Sequence, residues 1–461
     1  MRSISPLRGF SAVSQLQISL MAERHMLGIR TTVLREQAHL YNYPDSERMA
    51  ELLHKMTETF KNILTNDQKG LMIEANRRKE FRFVMKKIRF GIIGCGLMGK
   101  EFASAAARWC HMTEDIARPE IVAVCNRSDA PMDWFCRHFD TIVFRTNDYR
   151  ELLKRDDVDA VYCALPHNLH AQVYCDIINA GKHLLGEKPF GMDQEANRQI
   201  MEAIKAHPEV VVRCASEFPY YPACQQLVRW IEQGKFGRII EVHAGFCHSS
   251  DMDLNKPINW KRMVETNGEY GCMGDLGIHT QHVPFRMGWK PRRVYANLSN
   301  IATERFDKSG SKVPCETWDN ATLCCDVEDG EGNEFPMYIE TKRMKPGATN
   351  EWFIRVEGLE CSAKFSTDDP NAFYYTESWG KEQGWCRVNV GYGSVIPTIT
   401  GKIFEFGFTD AILQMWGTFI QEIEGKTPRF GCFTPEETVL SHKLLTAALQ
   451  SHREKRAVEL D

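Results

Sequence analysis

The run Gly94-Cys95-Gly96-Leu97-Met98-Gly99 constrains this chain more than any other feature. It follows Lys87–Ile93, a short stretch with β-branched and aromatic residues that reads as a buried strand, and precedes the Ala-rich, helix-forming Lys100–Cys110. G-x-G-x-x-G between a strand and a helix is the context in which the motif has meaning. Gly94 permits the tight turn, Gly96 lets main chain approach a pyrophosphate, and Gly99 lets helix and strand pack closely. Leu97 and Met98 sit in the same phosphate-facing turn, where a helix N-terminus offers unpaired N–H groups.

Strand-then-helix alternation continues downstream. Ile121–Cys125, Thr141–Phe144, Ala160–Ala164, Lys182–Leu185 and Val210–Ala215 read as strands. Helical spacing occupies Tyr149–Lys154, Leu169–Ala180, Asp193–His207 and Ala223–Gln233. Repeated βα units predict a doubly wound parallel sheet, with ligands at the carboxyl ends of its strands. After Ile121–Cys125, the position that often carries an acid for the ribose 2′-hydroxyl of NAD holds Asn126. Asn126 accepts a hydrogen bond without repelling a 2′-phosphate, and Arg127 suits that phosphate or the adenine face, so NAD and NADP both stay open. Two further motifs fall at strand ends: Leu165-Pro166-His167-Asn168-Leu169-His170 and Gly186-Glu187-Lys188-Pro189.

From Arg238 the pattern changes. Ile239–Cys247, Arg293–Leu298, Asn320–Val327, Phe335–Lys342 and Trp352–Gly358 predict a large, mostly antiparallel sheet. Gly417–Gly425 and Pro435–Glu454 return to helical spacing. The expected fold is therefore α/β: a Rossmann domain over 85–215 and a C-terminal α+β domain over 216–461, with a large open sheet.

Residues 1–84 read differently. They carry 13 Lys+Arg against 9 Asp+Glu, leaving 44 against 52 for the rest of the 461-residue chain. Ser46–Leu64 reads as one amphipathic helix, too little to bury its own apolar face. Met85 opens directly onto the first strand, and Arg77-Arg78-Lys79-Glu80 is compatible with purine-rich codons resembling a ribosome-binding site. The expectation is that synthesis starts at Met85; a functional extension and a transit peptide are the alternatives. An intact mass near 53.0 kDa for the natively expressed protein would overturn it.

Charge narrows the partners. A net charge of −4 offers no basic excess for a phosphate backbone, so no nucleic-acid partner is expected. The longest run free of Asp, Glu, Lys and Arg, Ala160–Cys175, contains Pro166 and two histidines and is too short to span a bilayer, so no membrane partner is expected. The 16 cysteines form no C-x-x-C pair and mostly sit in apolar runs, which points to free thiols in a reducing, cytoplasmic compartment.

Taken together, the glycine motif, Pro166-His167-Asn168-Leu169-His170, Glu187-Lys188-Pro189 and the later Asp275-Leu276-Gly277-Ile278-His279 resemble the Gfo/Idh/MocA oxidoreductase family from about Met85 to the C-terminus. The resemblance implies an NAD(P) cofactor and catalytic roles for Lys188, Asp275 and His279, with a cis Lys188–Pro189 bond. Imidazole suits a general base, and a lysine ammonium stabilises charge on the reacting oxygen or relays the proton if burial depresses its pKa. Asp275, four residues before His279, would share its helix face and orient the ring or contact the substrate. Leu165, Pro166, His167, His170 and Glu187 join Lys188 in the expected cofactor set, His167 beside the nicotinamide and His170 packing behind it. Where the family often has an acid three residues after the histidine, this chain has His282; no metal is expected.

Substrate contacts are expected from Trp260 and Lys261, from Tyr220 with Tyr221 and Glu217, and from Trp318-Asp319, an aromatic–acid pair suited to a sugar ring. The implied activity is hydride transfer between nicotinamide and a secondary hydroxyl of a sugar, polyol or glycoside, with oxidation at glycoside C3 as the finer possibility. The alternatives are a glycoside-cleaving enzyme that retains its cofactor and a non-catalytic dinucleotide sensor. The expected partners are a carbohydrate-like small molecule and a second copy of the chain, as a homodimer or homotetramer.

Overall fold

The structure is a computed structural model that describes Lys55 and residues 86–460, apart from 378–381, 392, 400 and 402–404. The helix expected over Ser46–Leu64 lies outside the described residues except at Lys55, which is helical. Residues Met85–Asp461 form one compact unit.

Six strands open it: β1 (Lys87–Ile93), β2 (Arg118–Cys125), β3 (Phe144–Thr146), β4 (Ala160–Cys163), β5 (His183–Gly186) and β6 (Val212–Cys214). They form one sheet in the order β3-β2-β1-β4-β5-β6, every neighbour parallel. β1 and β4 are apolar on both faces because helices cover both, which is the burial a parallel sheet requires. The connecting helices are α1 (Leu97–Ala107), α2 (Ala130–His138), α3 (Tyr149–Leu153), α4 (His170–Asn179) and α5 (Gln194–Ala206). Strand order reverses between β1 and β4, the crevice where a doubly wound sheet binds dinucleotides. The third strand begins at Phe144 instead of Thr141. The Thr141 hydroxyl donates to the Ile121 carbonyl at 2.7 Å, which holds that residue in the approach to the strand.

After α6 (Pro222–Glu232) come β7 (Ile239–Cys247), α7 (Val264–Asn267) and α8 (Cys272–Arg286). The strands β8 (Lys290–Ser299), β9 (Glu304–Phe306), β10 (Lys312–Pro314), β11 (Asn320–Glu328), β12 (Glu334–Lys342), β13 (Glu351–Gly358), β14 (Ser362–Ser366), β15 (Ala372–Thr376) and β16 (Cys386–Asn389) follow. The chain ends with α9 (Phe408–Ile423), α10 (Pro435–Glu454) and β17 (Val458–Glu459). The second sheet has nine strands in the order β16-β15-β14-β13-β7-β12-β11-β8-β17; only β7–β12 is parallel, and β9–β10 is a separate hairpin. β11 and β12 alternate buried and more open residues, so one face packs against helices while the other stays open.

α9 begins at Phe408, nine residues ahead of the sequence expectation, with the Asp410 carboxylate accepting the Gly407 N–H at 2.9 Å. From Ala411 onward its early turns are buried, polar Gln414 included, because α9 packs on the first half. Trp416 lies 4.2 Å from Phe102 and 4.3 Å from Tyr162 between ring centroids. Phe433 N-terminal to α10 also accepts a backbone hydrogen bond from Cys214 of β6 at 3.0 Å. The boundary expected at 215/216 thus separates two sheets but not two separately covered cores.

Candidate active site

The glycine turn is built as its spacing implies. Gly94 has φ +100°, and a Cβ there would lie 2.2 Å from the Ala164 carbonyl oxygen. A Cβ on Gly99 would lie 2.4 Å from the Gly94 oxygen, whereas one on Gly96 would meet nothing within 4 Å. The first and third glycines are therefore needed by the fold, and the second leaves open space at the start of α1. No side chain caps that helix, so its first N–H groups face outward with Leu97 exposed and Met98 half-buried beside them. These features fit a pyrophosphate. Asn126 spends its amide locally: Oδ1 accepts the Cys95 N–H at 3.2 Å and Nδ2 donates to the Ser128 carbonyl at 3.1 Å. Arg127 is exposed beside it.

The Lys188–Pro189 bond is cis. Side chains pin the backbone on either side of it. Tyr174 donates to the Glu187 carbonyl at 2.8 Å, His442 contacts the Pro189 carbonyl at 2.9 Å, and Asn197 donates to the Phe190 carbonyl at 3.1 Å. Glu187 is itself buried and accepts the Tyr162 hydroxyl at 2.7 Å, so its carboxylate faces the core.

Lys188 points at α8. Its Nζ donates to Oδ1 and to the main-chain carbonyl of Asp275, both at 2.7 Å. Lys261 Nζ reaches the same carboxylate at 3.0 and 2.9 Å, and Arg343, at the end of β12, at 3.3 Å. Burial opposes charge on Asp275, but Lys188, Lys261 and Arg343 outweigh it, and the carboxyl is held well below its ordinary range. Burial likewise opposes charge on Lys188, yet Asp275 and Glu187 raise its pKa. Lys188 is therefore a stable ammonium; the relay role that a depressed pKa would have given it is not supported. On Lys261, burial prevails and lowers the pKa.

His279 is near enough to this ion cluster for Lys188, Asp275 and Lys261 to act on its ring. The ring is buried, edge-on to Phe218 and Phe246 at 5.2 and 5.4 Å, and Trp352 donates to its main-chain carbonyl at 2.8 Å. Burial, then the nearby Lys188 charge, depresses the imidazole pKa well below its ordinary value. It is thus neutral at physiological pH. Asp275 does not orient it, since both carboxylate oxygens are committed to cations. The carboxyl near the ring is Glu217, with Oε2 3.8 Å from Nδ1.

The other expected residues divide. His167 is buried beside the ion cluster, its Nδ1 3.1 Å from the Asn267 carbonyl and its ring 4.9 Å from Trp260, the two close to perpendicular. Leu165 and Pro166 are half-buried just before it. Trp260 stands beside Lys261, whose ammonium is 5.7 Å from the indole centroid. His170 instead stacks on Tyr174 at 4.7 Å and contacts the Leu165 carbonyl at 3.0 Å; burial pushes its pKa down to about 3, and it acts as a packed support. Three substrate expectations need correction. Asp319 is fully buried: it pairs with Arg262, and it accepts the N–H groups of Ile301 and Ala302 at 2.5 and 2.7 Å. Tyr220 is fully buried with its hydroxyl on Cys432. Trp318 packs against His452 of α10 at 4.9 Å. An acid beside a tryptophan suits a sugar, but the same pair suits a core whose arginine needs an anion.

Arg343 and His248 were not singled out by sequence. Arg343 is an unremarkable basic residue near a strand end until β12 pairs with β7 and carries it to α8. His248 follows β7 directly; burial lowers its pKa to about 4, with Asp275 near enough to oppose the shift. His282 packs on Phe430 and Phe433. Among the described residues no three His, Cys, Asp or Glu side chains are grouped to hold a metal ion.

Comparison with known proteins reproduces this two-part arrangement. Levoglucosan dehydrogenase of Pseudarthrobacter phenanthrenivorans is 26% identical over 261 residues, 56% of this chain and 64% of that protein. The dTDP-3,4-didehydro-2,6-dideoxy-alpha-D-glucose 3-reductase of Saccharopolyspora spinosa is 36% identical over 49% of this chain and 64% of its own length. The chain thus spans just under two thirds of either relative. A solved structure of levoglucosan dehydrogenase with NADH and levoglucosan shares the fold, with a TM-score of 0.73 at 22% identity over 82% of this chain and all of that one. Residues 88–214 match the NAD-binding Rossmann domain of the Gfo/Idh/MocA oxidoreductases, and residues 224–353 match their C-terminal domain. With both domains present in that order over more than half its length, the chain belongs to the Gfo/Idh/MocA oxidoreductase family.

Proposed function

We propose that this protein is an NAD(P)-dependent dehydrogenase interconverting a secondary hydroxyl and a ketone on a sugar, polyol or glycoside. The observation that carries the reading is the pairing of a persistent ammonium, Lys188 on Asp275, with the neutral imidazole of His279 close enough for Lys188 to depress its pKa. A bound nicotinamide supplies the hydride acceptor or donor. Gly94, Gly96, Leu97, Met98 and Gly99 form the phosphate turn, and Leu165, Pro166 and His167 lie past the adjoining strand end. Lys188 stabilises negative charge developing on the substrate oxygen, which is worth most in a water-poor site. His279 takes that oxygen's proton during oxidation and returns it during reduction. Asp275 keeps Lys188 charged and aimed, and Lys261 with Trp260 holds hydroxyls at the rim.

The finer assignment is the C3 position of a pyranoside. It is supported by the 3-reductase likeness, a name that describes that relative's own reaction. NADP is accommodated as readily as NAD, because the Asn126 amide is committed to the glycine loop and no carboxylate stands in its place. The open face of the nine-stranded sheet, where Tyr338 stacks on His243 at 4.7 Å and Tyr295 is 47% exposed, suits a second copy.

Native mass spectrometry of the purified chain, followed by a screen of free sugars and glycosides for nicotinamide reduction, tests the reading. Formation of NADH or NADPH with a ketose product supports it. Absence of both nucleotide binding and turnover across the panel overturns it, and release of aglycone without added cofactor would replace dehydrogenation with glycoside cleavage.

A further inference from the structure

Asp275 is fully engaged by three cations, so the neutral base must pass its proton elsewhere. We propose that Glu217 stores the proton that His279 exchanges with the substrate oxygen, the two side chains forming a relay from the reacting hydroxyl into the protein. The proposal rests on the dehydrogenase reading above and adds a residue to it.

Four observations carry it. His279 Nδ1 is buried without a hydrogen-bond partner, an arrangement that calls for an explanation at a reactive side chain. Glu217 Oε2 lies 3.8 Å from that nitrogen, and side-chain hydrogen bonds at unliganded catalytic sites are often long until substrate arrives. Both residues are held for the contact. Phe218 and Phe246 meet the imidazole edge-on, while Glu217 opens the short turn Phe218–Tyr220, in which the Tyr220 N–H donates to the Glu217 carbonyl at 3.0 Å. Finally, burial and then the Glu187 charge raise the Glu217 pKa to about 8, so it takes and gives a proton near neutrality.

The groups facing Glu217 come from each packed element. They are His279 on α8, Glu187 and Lys188 after β5, Tyr162 on β4, Cys214 on β6, and Tyr221 before α6. Glu187 opposes its ionisation and Lys188 favours it, while Tyr162, Tyr221 and Cys214 are all pushed up by burial and stay neutral.

In the oxidising direction a bound nicotinamide would accept the electron pair of the breaking substrate C–H bond as hydride. The O–H proton goes to Nε2 of His279, the Nδ1 proton passes to the Glu217 carboxylate, and the C–O bond becomes C=O. The alcohol is oxidised, the nicotinamide is reduced, and one proton rests on Glu217. Reduction of a ketone reverses each transfer, drawing on the protonated carboxyl. Glu217 acts through His279 and is a positioning residue.

The test uses the full chain. In protein labelled with ¹⁵N-histidine, the His279 ring resonances, assigned by their loss in His279→Asn, are followed from pH 6 to 10 without cofactor, a range set around the raised Glu217 carboxyl. We expect them to report a titration step that is absent in Glu217→Gln and present, displaced, in Glu217→Asp. Identical His279 titrations in wild type and Glu217→Gln would overturn the relay. With NAD⁺ or NADP⁺ and a sugar panel that includes levoglucosan, wild-type kcat for oxidation should rise through the same step. Glu217→Gln should lose about 10²-fold in kcat with KM nearly unchanged and a flat profile. A Glu217→Gln profile that keeps its slope would also overturn the relay. Failure of the wild type on every sugar would instead count against the dehydrogenase reading, and the histidine titration would still decide the Glu217–His279 pair.

Discussion

Two buried carboxyl groups, both within the influence of the Lys188 charge, reach opposite states. Asp275 has Lys188, Lys261 and Arg343 within hydrogen-bonding distance and stays ionised far below its ordinary pKa. Glu217 faces a neutral imidazole and the like charge of Glu187, and its pKa climbs to about 8. Burial pushes both the same way, so the neighbours decide the outcome. The site therefore has a charged side that holds an ammonium in place and a neutral side, the one to which the proposed relay assigns proton movement. The most direct way to break this contrast is Asp275→Ala, which strands three buried or half-buried cations. We expect it to lose about 3–5 kcal/mol of stability, the range for a buried ion pair deprived of one partner. Urea unfolding checks this, and a variant as stable as wild type would show that the charged side is not held together as described.

Lys188→Ala removes the ammonium but leaves Asp275 with Lys261 and Arg343, so the fold should survive. The expected loss is about 10²–10³-fold in kcat, comparable with removing one donor to a developing oxyanion. Steady-state kinetics with the sugar found in the screen measures it. An equal loss on Glu217→Ala but none here would reverse the roles of the two sides.

Most of the charged side and the imidazole of the neutral side were legible in the sequence; the pairing of that imidazole with Glu217, which reads there as a substrate contact, was not. Lys188, Asp275, His279 and Lys261 fall in runs whose order and residue types carry the resemblance, and the structure brings them together. The Rossmann sheet was legible for a similar reason. Most of its strands are short apolar runs whose expected and observed ends lie within a few residues of one another; β3 is only Phe144-Arg145-Thr146, and α2 has no counterpart among the helices read from the sequence. α9 was only half legible because its whole run Ala411–Gln421 is buried, the polar Gln414, Thr418 and Gln421 included, and part of that coverage comes from Phe102 of α1 and Tyr162 of β4. Asp319 misled because a sequence does not say which cation an acid will meet; Arg262 precedes it by many residues and reaches it only when the turn after β7 folds over the start of β11. Arg343 was invisible for the same reason.

Stability as a function of pH sharpens the comparison from the neutral side. The Glu217 pKa is raised in the folded protein, so its contribution is complete below the unfolded value of about 4.3 and is lost as pH rises towards 8. The buried histidines act in reverse. His167 and His279 have depressed pKa values, so what they contribute is present above the unfolded value of about 6.5 and is lost as pH falls below it. Urea midpoints measured from pH 5 to 9 should therefore fall as pH drops below about 6.5 and fall again as it rises to about 8, and Glu217→Gln should flatten the second decline and steepen the acid limb. An unchanged alkaline limb would mean that Glu217 is ionised in the native state and that the two carboxyl groups do not differ.

The smallest expected effect belongs to Lys261. Its side chain is 40% exposed, against 17% for Lys188, and both ammonium groups touch one carboxylate. The difference in exposure sets the difference in consequence. An ammonium with access to water loses less solvation on pairing and can leave Asp275 to meet a hydroxyl at the rim. Its pKa is depressed by burial and then by repulsion from Lys188 and Arg343, although Asp275 opposes the shift. Lys261→Met keeps the stem that lies beside Trp260 and removes only the charge. We expect KM for the sugar to rise about tenfold, corresponding to about 1.4 kcal/mol, just under the range of about 1.5–3 kcal/mol for a hydrogen bond to a charged group, with kcat within about twofold of wild type. A fall in kcat matching that of Lys188→Ala would place Lys261 beside the reacting oxygen and make the charged side a two-lysine centre.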